Sequence, residues 1–422
     1  MSDVVEFYES QAKEGLSIVP FLADMQAKAL RDFKSRAFPT RHDEDWKYTR
    51  MDSFLQARFA RQDTASKDLR DLSKTVPIGH DISIRNGQVV LDETIVKGLP
   101  AGVIIAPLMD ALSRHADIIK PWLGKLLRPE HGFHALNMAA LQTGVLIYLP
   151  AGAQIEEPLV LAHWQDQEAG AVHSRHLIIA EEGSKACIIE TFQGEASCSY
   201  LTNTVTEAYL APRSKIVHYK IQCESKAAFH IGHIAVLQKQ DSQFDSHSLS
   251  LGGKLVRSDM TFRLQEPKAN CLMNGIYLPT DGQHVDHHTT VHHLVPDCNS
   301  TQDYKGILKG KSQAVFNGKI VVGVGAIHTN AQQSNKNLLL SPTAEIDTKP
   351  QLEIFADDVA CSHGATVGQL DEDALFYMAA RGIDRAEASR YLIQAFAEDN
   401  LRLIPHADMA TWMSDLINSQ LR

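Results

Sequence analysis

The order of apolar and polar positions divides the chain into three zones. From the start to about residue 80 the period is helical: Phe21, Met25, Ala29 and Phe33 recur four apart, with Leu22 and Leu30 beside them. Such spacing lays apolar side chains along one face of a helix. Pro20 suits a first helical turn, where no amide hydrogen is required, and Pro39 marks the end. The polar stretch Arg61–Thr75 reads either as a further helix or as a link.

From about 81 to 356 the period falls to two. Asn86-Gly87 between Ile82-Ser-Ile84 and Val89-Val-Leu91 predicts a two-residue hairpin. Short strands follow at Val145–Leu149, Leu177–Ile179, Ala186–Ile189, Lys215–Tyr219 and Ala314–Phe316, with Ala111–Lys125 the main helical exception. Polar or turn residues precede strand-like runs at Ser184-Lys185, Ser214-Lys215, Asp241-Ser242, Pro267-Lys268, Lys311-Ser312 and Pro342-Thr343. Most recur every 26 to 31 positions, one interval being nearly twice a shorter turn. Stacked coils that bury apolar faces on their neighbours give such a signature, and about 270 residues would be long for a single sandwich.

The last zone is helical again. Ala374–Arg381 ends at Gly382, suited to a left-handed cap, and Asp384-Arg-Ala-Glu387 has the form of a capping box. Leu392, Ala395 and Phe396, then Trp412, Leu416 and Leu421, predict two further amphipathic helices that either cap the solenoid's open end or dock a partner. The expected fold is therefore mainly β: a parallel β-helix core over 81–368, between a helical N-terminal region (1–80) and a helical C-terminal region (369–422).

Composition narrows the function. A net charge of -10 with no Lys/Arg run argues against nucleic acid, which asks for a basic face. The start Met1-Ser-Asp-Val-Val-Glu is acidic, without the basic and apolar pattern of a signal peptide, and no apolar run approaches 20 residues. A cytoplasmic chain with no membrane span is expected. The six cysteines are scattered without a C-x-x-C pair, which reads as mostly buried small hydrophobes rather than disulfides or a self-contained four-thiolate site.

Two segments hold candidate chemistry. In His284-Val-Asp-His-His-Thr-Thr-Val-His-His293, strand alternation places His284, Asp286, His288 and His292 on one face and His287 and His293 on the other. Imidazoles and a carboxylate suit iron or zinc, but same-face residues lie roughly 6–7 Å apart along a strand, so neighbouring strands would have to assist. Hydrogen-bonded ladders within the stack, or an interface, would need the same residues. In Asp357-Asp-Val-Ala-Cys361-Ser-His363-Gly, an extended backbone points Cys361 and His363 to one side. A thiol and an imidazole can hold iron, but clusters commonly need four ligands, so this is half a site unless a second chain completes it. A buried cysteine beside a structural histidine is the alternative. Neither a G-x-S-x-G elbow, an H-E-x-x-H helix nor a phosphate loop is present, and Gly323-Val-Gly-Ala326 is too short for a dinucleotide loop.

Longer motifs carry a resemblance. Phe38-Pro-Thr-Arg-His-Asp-Glu-Asp-Trp-Lys-Tyr-Thr49, Ser248–Arg257, Lys349–Gly368, Leu375-Phe-Tyr377 and Arg381-Gly-Ile383 resemble signatures of the SufD family, and the likeness spans essentially the whole chain. SufB-like chains carry a cysteine where Ile354 stands here, which favours SufD. The resemblance implies a right-handed parallel β-helix in a non-enzymatic scaffold for iron–sulfur cluster assembly. It further implies pairing with a SufB-like chain, docking of a SufC-like ATPase on the C-terminal helices, and a homodimer possible when isolated. No cofactor would be tightly bound; a transient cluster would be shared with the partner chain, with His363, and Cys361 beside it, as the assembly residues. Two rivals are a metalloenzyme using His284, Asp286, His288 and His292, and a carbohydrate-active β-helix, which would need paired acids in a groove and usually an export signal.

Overall fold

The computed structural model describes residues 2–61, 76–92, 95 and 98–421. Most of the polar stretch read at Arg61–Thr75 lies outside them. Two ten-stranded sheets face one another, and after the first antiparallel pairs every strand joins its neighbours in parallel. The chain alternates between the sheets, so each coil stacks on the one before it. The register advances 26 residues from Phe229 to Leu255 and 32 from Gln313 to Glu345, the shortest and longest coils of the regular stack. This is the expected mainly β, parallel solenoid between helical ends.

One corner explains the repeat. Gly183, Arg213, Asp241, Lys268, Asp297, His328 and Asp358 all have positive φ, between 54° and 68°, each two residues before a strand of the second sheet. Four of the sequence markers sit at that corner. The last two, at Lys311 and Pro342, precede strands of the first sheet, Gln313–Val322 and Glu345–Ile354. The wide interval is therefore one coil plus the crossing to the opposite sheet, not a doubled turn.

Strand alternation sorts the apolar residues into three layers. Inward residues such as Ile147, Ile178, Ile188, Phe244, Phe262 and Phe316 form the core between the sheets. Leu177, Ile179, Phe229 and Leu255 on the outer face of the first sheet pack against the N-terminal helices. Tyr219, Ile221, Leu249 and Ile276 on the outer face of the second sheet meet the C-terminal helices. Those helices therefore cover a sheet face rather than the open end of the stack.

The helix Pro20–Arg36 matches its predicted span, but Leu22, Gln26, Ala29 and Phe33 are the buried positions. Gln26 is buried because its side chain accepts from the Ser17 amide at 2.8 Å. Asn86 and Gly87 both have positive φ and close the predicted hairpin. The helix expected at Ala111–Lys125 is two short ones, Leu108–Arg114 and Ala116–Ile119, followed by turns. Gly132–Ala139 forms a helix that periodicity did not reveal, because all eight residues are buried and no polar face exists. At the C-terminus, Gly382 takes φ +84°, and the Asp384 carboxylate accepts from the Glu387 amide at 2.9 Å. The reciprocal half of the box is replaced, since Glu387 accepts from the Tyr391 hydroxyl instead. Helix Arg385–Leu401 buries Ala388, Ile393, Ala397, Asn400 and Leu401, a face offset from the one read in sequence. Asn400 fixes it by exchanging hydrogen bonds with Asn274 on the second sheet.

Part of the interior is polar: His176, Glu190, Thr206, His218, Lys220, Glu224 and His230 are all buried between the sheets. Burial lowers the pKa of His173 and His287 to about 3 and of His233, His247 and His293 to about 4. These folded-state values lie below the unfolded value near 6.5, so the stability they represent is complete above about pH 6.5 and is lost as pH falls toward 4. Each group accounts for about 1.4 kcal/mol per pH unit within that window. A fall in Tm of about 10 °C between pH 7 and pH 5 is expected in scanning calorimetry. A Tm unchanged over that interval would contradict the buried neutral histidines.

Candidate functional site at the open end of the solenoid

The stack ends at Glu345–Ile354 in the first sheet and Ala360–Gly368 in the second, and among the described residues no strand pairs beyond either. Unpaired strand edges offer a row of backbone donors and acceptors to an incoming chain. Register fixes the direction of the side chains. Cys361 lies opposite buried Ala331 and His363 opposite buried Gln333, whereas Ser362 lies opposite exposed Gln332. Cys361 and His363 thus share the inward face of the last coil, as alternation requires.

Their surroundings differ. Cys361 is half-buried against the small cluster of Ile320, Val322, Ala326 and Ala331, and burial raises its thiol pKa. It would ligate metal only with loss of that proton. His363 is exposed, because no further coil stacks above it. Around them Val367 and Phe355 are 50% and 61% exposed, an apolar rim unusual for a finished sheet edge. Ile354 stands at the end of the last strand of the first sheet and is also exposed. Of the remaining cysteines, Cys187, Cys271 and Cys298 are buried and Cys198 and Cys223 partly so; all are free thiols.

The histidine run forms the strand His284–His293, with the predicted division of faces. Val285, His287, Thr289, Val291 and His293 are buried between the sheets. His284, Asp286, His288 and His292 face outward, under the N-terminal segment 44–49. Asp286 is fully buried there: it accepts from Arg257 Nη1 at 2.6 Å, contacts His288 Nε2 at 3.1 Å and accepts a short hydrogen bond from Thr49. Burial would raise its pKa, but the charges of Arg257 and His288 outweigh that and hold the carboxyl far below the ordinary range. Burial also lowers the pKa of His284, whose Nε2 meets the Thr49 hydroxyl at 3.3 Å. Three of the four residues therefore gather around one arginine. His292 stands apart, further along the strand, in a cleft with Lys319, its pKa lowered first by burial and then by Arg263 and Lys319. The motif reading missed Arg257, which holds Asp259 as well, through Nε at 2.9 and 3.1 Å. A buried arginine flanked by acids two residues away on its own strand and on the next was the available signal.

Residues 3–161 match the model of the SufBD protein N-terminal region, and residues 163–396 match that of the SUF system FeS cluster assembly, SufBD core domain. The iron–sulfur cluster assembly protein SufD of Escherichia coli is 31% identical over 381 residues, 88% of this chain and 86% of that one. A SufBD family protein of Synechocystis is 29% identical over 388 residues, 89% and 86% of the two chains. A chloroplastic protein of Arabidopsis thaliana is 30% identical over 386 residues, 89% and 81%.

Proposed function

The chain belongs to the SufB/SufD family of iron–sulfur cluster assembly proteins, on its SufD side, and from that premise we propose that it is a non-catalytic scaffold whose open solenoid end pairs with a SufB-like chain. The observation that carries the proposal is the bare last coil, with two inward donors, an apolar rim and unpaired strand edges on one surface. Cys361 and His363 supply two ligands, and the partner would supply the rest. A cluster held in that way is bound only while both chains are present, which favours release to apo-proteins over retention. No residue of this chain need break a covalent bond.

The C-terminal helices present a second surface. Phe376 and Tyr377 are 76% and 57% exposed on Glu372–Ala379, and Tyr391 is exposed on the next helix. Aromatic side chains left in water on short helices suit a docking face for a SufC-like ATPase. ATP-driven movement there would reach the open end through helices anchored to the second sheet, provided the nucleotide states bind the scaffold differently. Among the described residues no helix is long and apolar enough to cross a membrane.

Co-expression with SufB-like and SufC-like chains, followed by affinity capture, tests both surfaces. Val367→Asp is expected to lose the SufB-like chain and keep the ATPase, and Phe376→Asp with Tyr377→Asp the reverse. Capture of both partners by both variants would sink the assignment of surfaces.

A further inference from the structure

We propose that His131, His134 and Asp259 bind one divalent transition-metal ion, of the zinc or ferrous class, at the seam between the N-terminal region and the first sheet. One donor atom from each of the three lies within 4.8 Å of the others. His131 is the N-cap of the helix Gly132–Ala139, and His134 stands three residues on, the spacing that brings side chains to one helix face. Asp259 comes from the outer face of the strand Leu255–Leu264. His131 Nε2 is 4.0 Å from Asp259 Oδ2. Two bonds of about 2.0 Å at a tetrahedral angle span roughly 3.3 Å, so this pair closes by about 0.7 Å and no pair within the 4.8 Å set needs more than about 1.5 Å.

An independent observation points to a ligand. The His131 ring is 10% exposed, and neither of its nitrogens has a hydrogen-bond partner. A buried polar group without a partner is costly, and both nitrogens of one ring left so is rare. Neighbouring groups are arranged as a support shell. His134 Nε2 and His233 Nδ1 are 3.0 Å apart, and His233 Nε2 is 3.1 Å from the Thr261 hydroxyl. With His233 donating to Thr261 and accepting from His134, the His134 lone pair lies on Nδ1, which otherwise holds only a long 3.3 Å contact from the Glu130 amide. Metal-bound imidazoles characteristically donate their second nitrogen in this way.

Arg257 is shared between Asp259 and Asp286, and Asp45 and Glu130 line the adjoining cleft of about 390 Å3 together with Arg36 and Glu44, the latter paired with Lys349. Two imidazoles and one carboxylate leave coordination positions open toward the cleft, for water or a small anion.

The test uses the full-length chain stripped of metal, titrated with Zn2+ against a chromophoric chelator and with Co2+ followed by visible absorption. One ion per chain and a tetrahedral or five-coordinate Co2+ band are expected. His131→Phe keeps the ring packed against Trp46 but removes both nitrogens; it is expected to weaken Zn2+ binding at least 100-fold and abolish the Co2+ band, with Tm maintained. His288→Ala, in the neighbouring Asp286 cluster, is expected to bind as the wild type does. Absence of stoichiometric Zn2+ or Co2+ binding at micromolar concentration would overturn the proposal. So would unchanged binding in His131→Phe, or loss confined to His288→Ala.

Discussion

Replacing His363 by alanine is expected to reduce cluster-dependent enzyme activities in a cell reliant on this system to the level of a strain lacking the chain, while the assembly with its partners stays intact. The expectation follows from the position of the side chain. His363 is exposed on the last coil, and its backbone hydrogen bonds belong to the parallel pairing with Asn330–Leu339, which alanine preserves. Little stability is at stake, because surface substitutions away from caps and buried networks usually stay within about 0.5 kcal/mol. Loss of function with unchanged Tm and unchanged capture of partners would therefore report on chemistry rather than folding. Cys361→Ser is the informative companion. Its thiol pKa is raised by burial, so it is the poorer donor before metal arrives, and a smaller defect than that of His363→Ala is expected. Wild-type activity in His363→Ala would remove that residue from the proposed site and leave the open end as a docking surface alone.

The second large effect concerns Arg257. Its guanidinium holds Asp259 and Asp286, donates to the Asp45 carbonyl at 2.8 Å and lies 4.5 Å from the Trp46 ring. It thereby ties two strands of the first sheet to the N-terminal segment. Arg257→Met leaves two buried carboxylates without their cation, and breaking a buried pair from one side costs about 3–5 kcal/mol. For a chain of this length that corresponds to a fall in Tm of roughly 5 °C at pH 7. Arg257→Lys is expected to recover little of it, because one ammonium cannot present the planar fork that serves both acids. The pH dependence has a definite sign. Asp259 and Asp286 have folded pKa values depressed below the unfolded value, so the stability they represent is present above about pH 4 and lost below it. The difference between Arg257→Met and wild type should therefore be largest at neutral pH and shrink on acidification, as the uncompensated buried carboxylates of the variant take up protons. A penalty independent of pH would assign it to lost packing on Trp46 instead.

Much of this was legible in sequence, and the limits have physical causes. The hairpin at Asn86-Gly87 was readable because few residue pairs tolerate two successive positive φ angles. The shared face of Cys361 and His363 was readable because the strand period of two is rigid, and register leaves no freedom once the strand is placed. The coil repeat was faint because its recurring left-handed corner is occupied by Gly183, Arg213, Asp241, Lys268, Asp297, His328 and Asp358, residues with no common side-chain chemistry. The geometry repeats while the residue type does not. The helix Gly132–Ala139 was hidden by complete burial, since amphipathic patterning exists only where one side meets water. Exposure of the last coil was also beyond reach, because it depends on whether the C-terminal helices turn over the end or lie along a face. The meeting of His131 with Asp259, 128 positions apart in the chain (259 − 131), depends on a tertiary contact that no local pattern encodes.

The solenoid also acts as a ruler. Parallel strands stack about 4.8 Å apart, so the distance from the N-terminal helices to the bare end is fixed in whole coils rather than continuously. Removing one coil, such as the 29 residues from Leu255 to the position before His284, would leave neighbouring coils able to stack, yet draw the two ends together by one step. The C-terminal helices straddle several coils of the second sheet, with Asn400 bonded to Asn274 and Lys305 to Asp399. They would lose their footing under such a deletion even where the sheets healed. Coil number is thus a length standard shared by whatever binds the helices and whatever meets the open end, and natural variation should spare it while varying the corners.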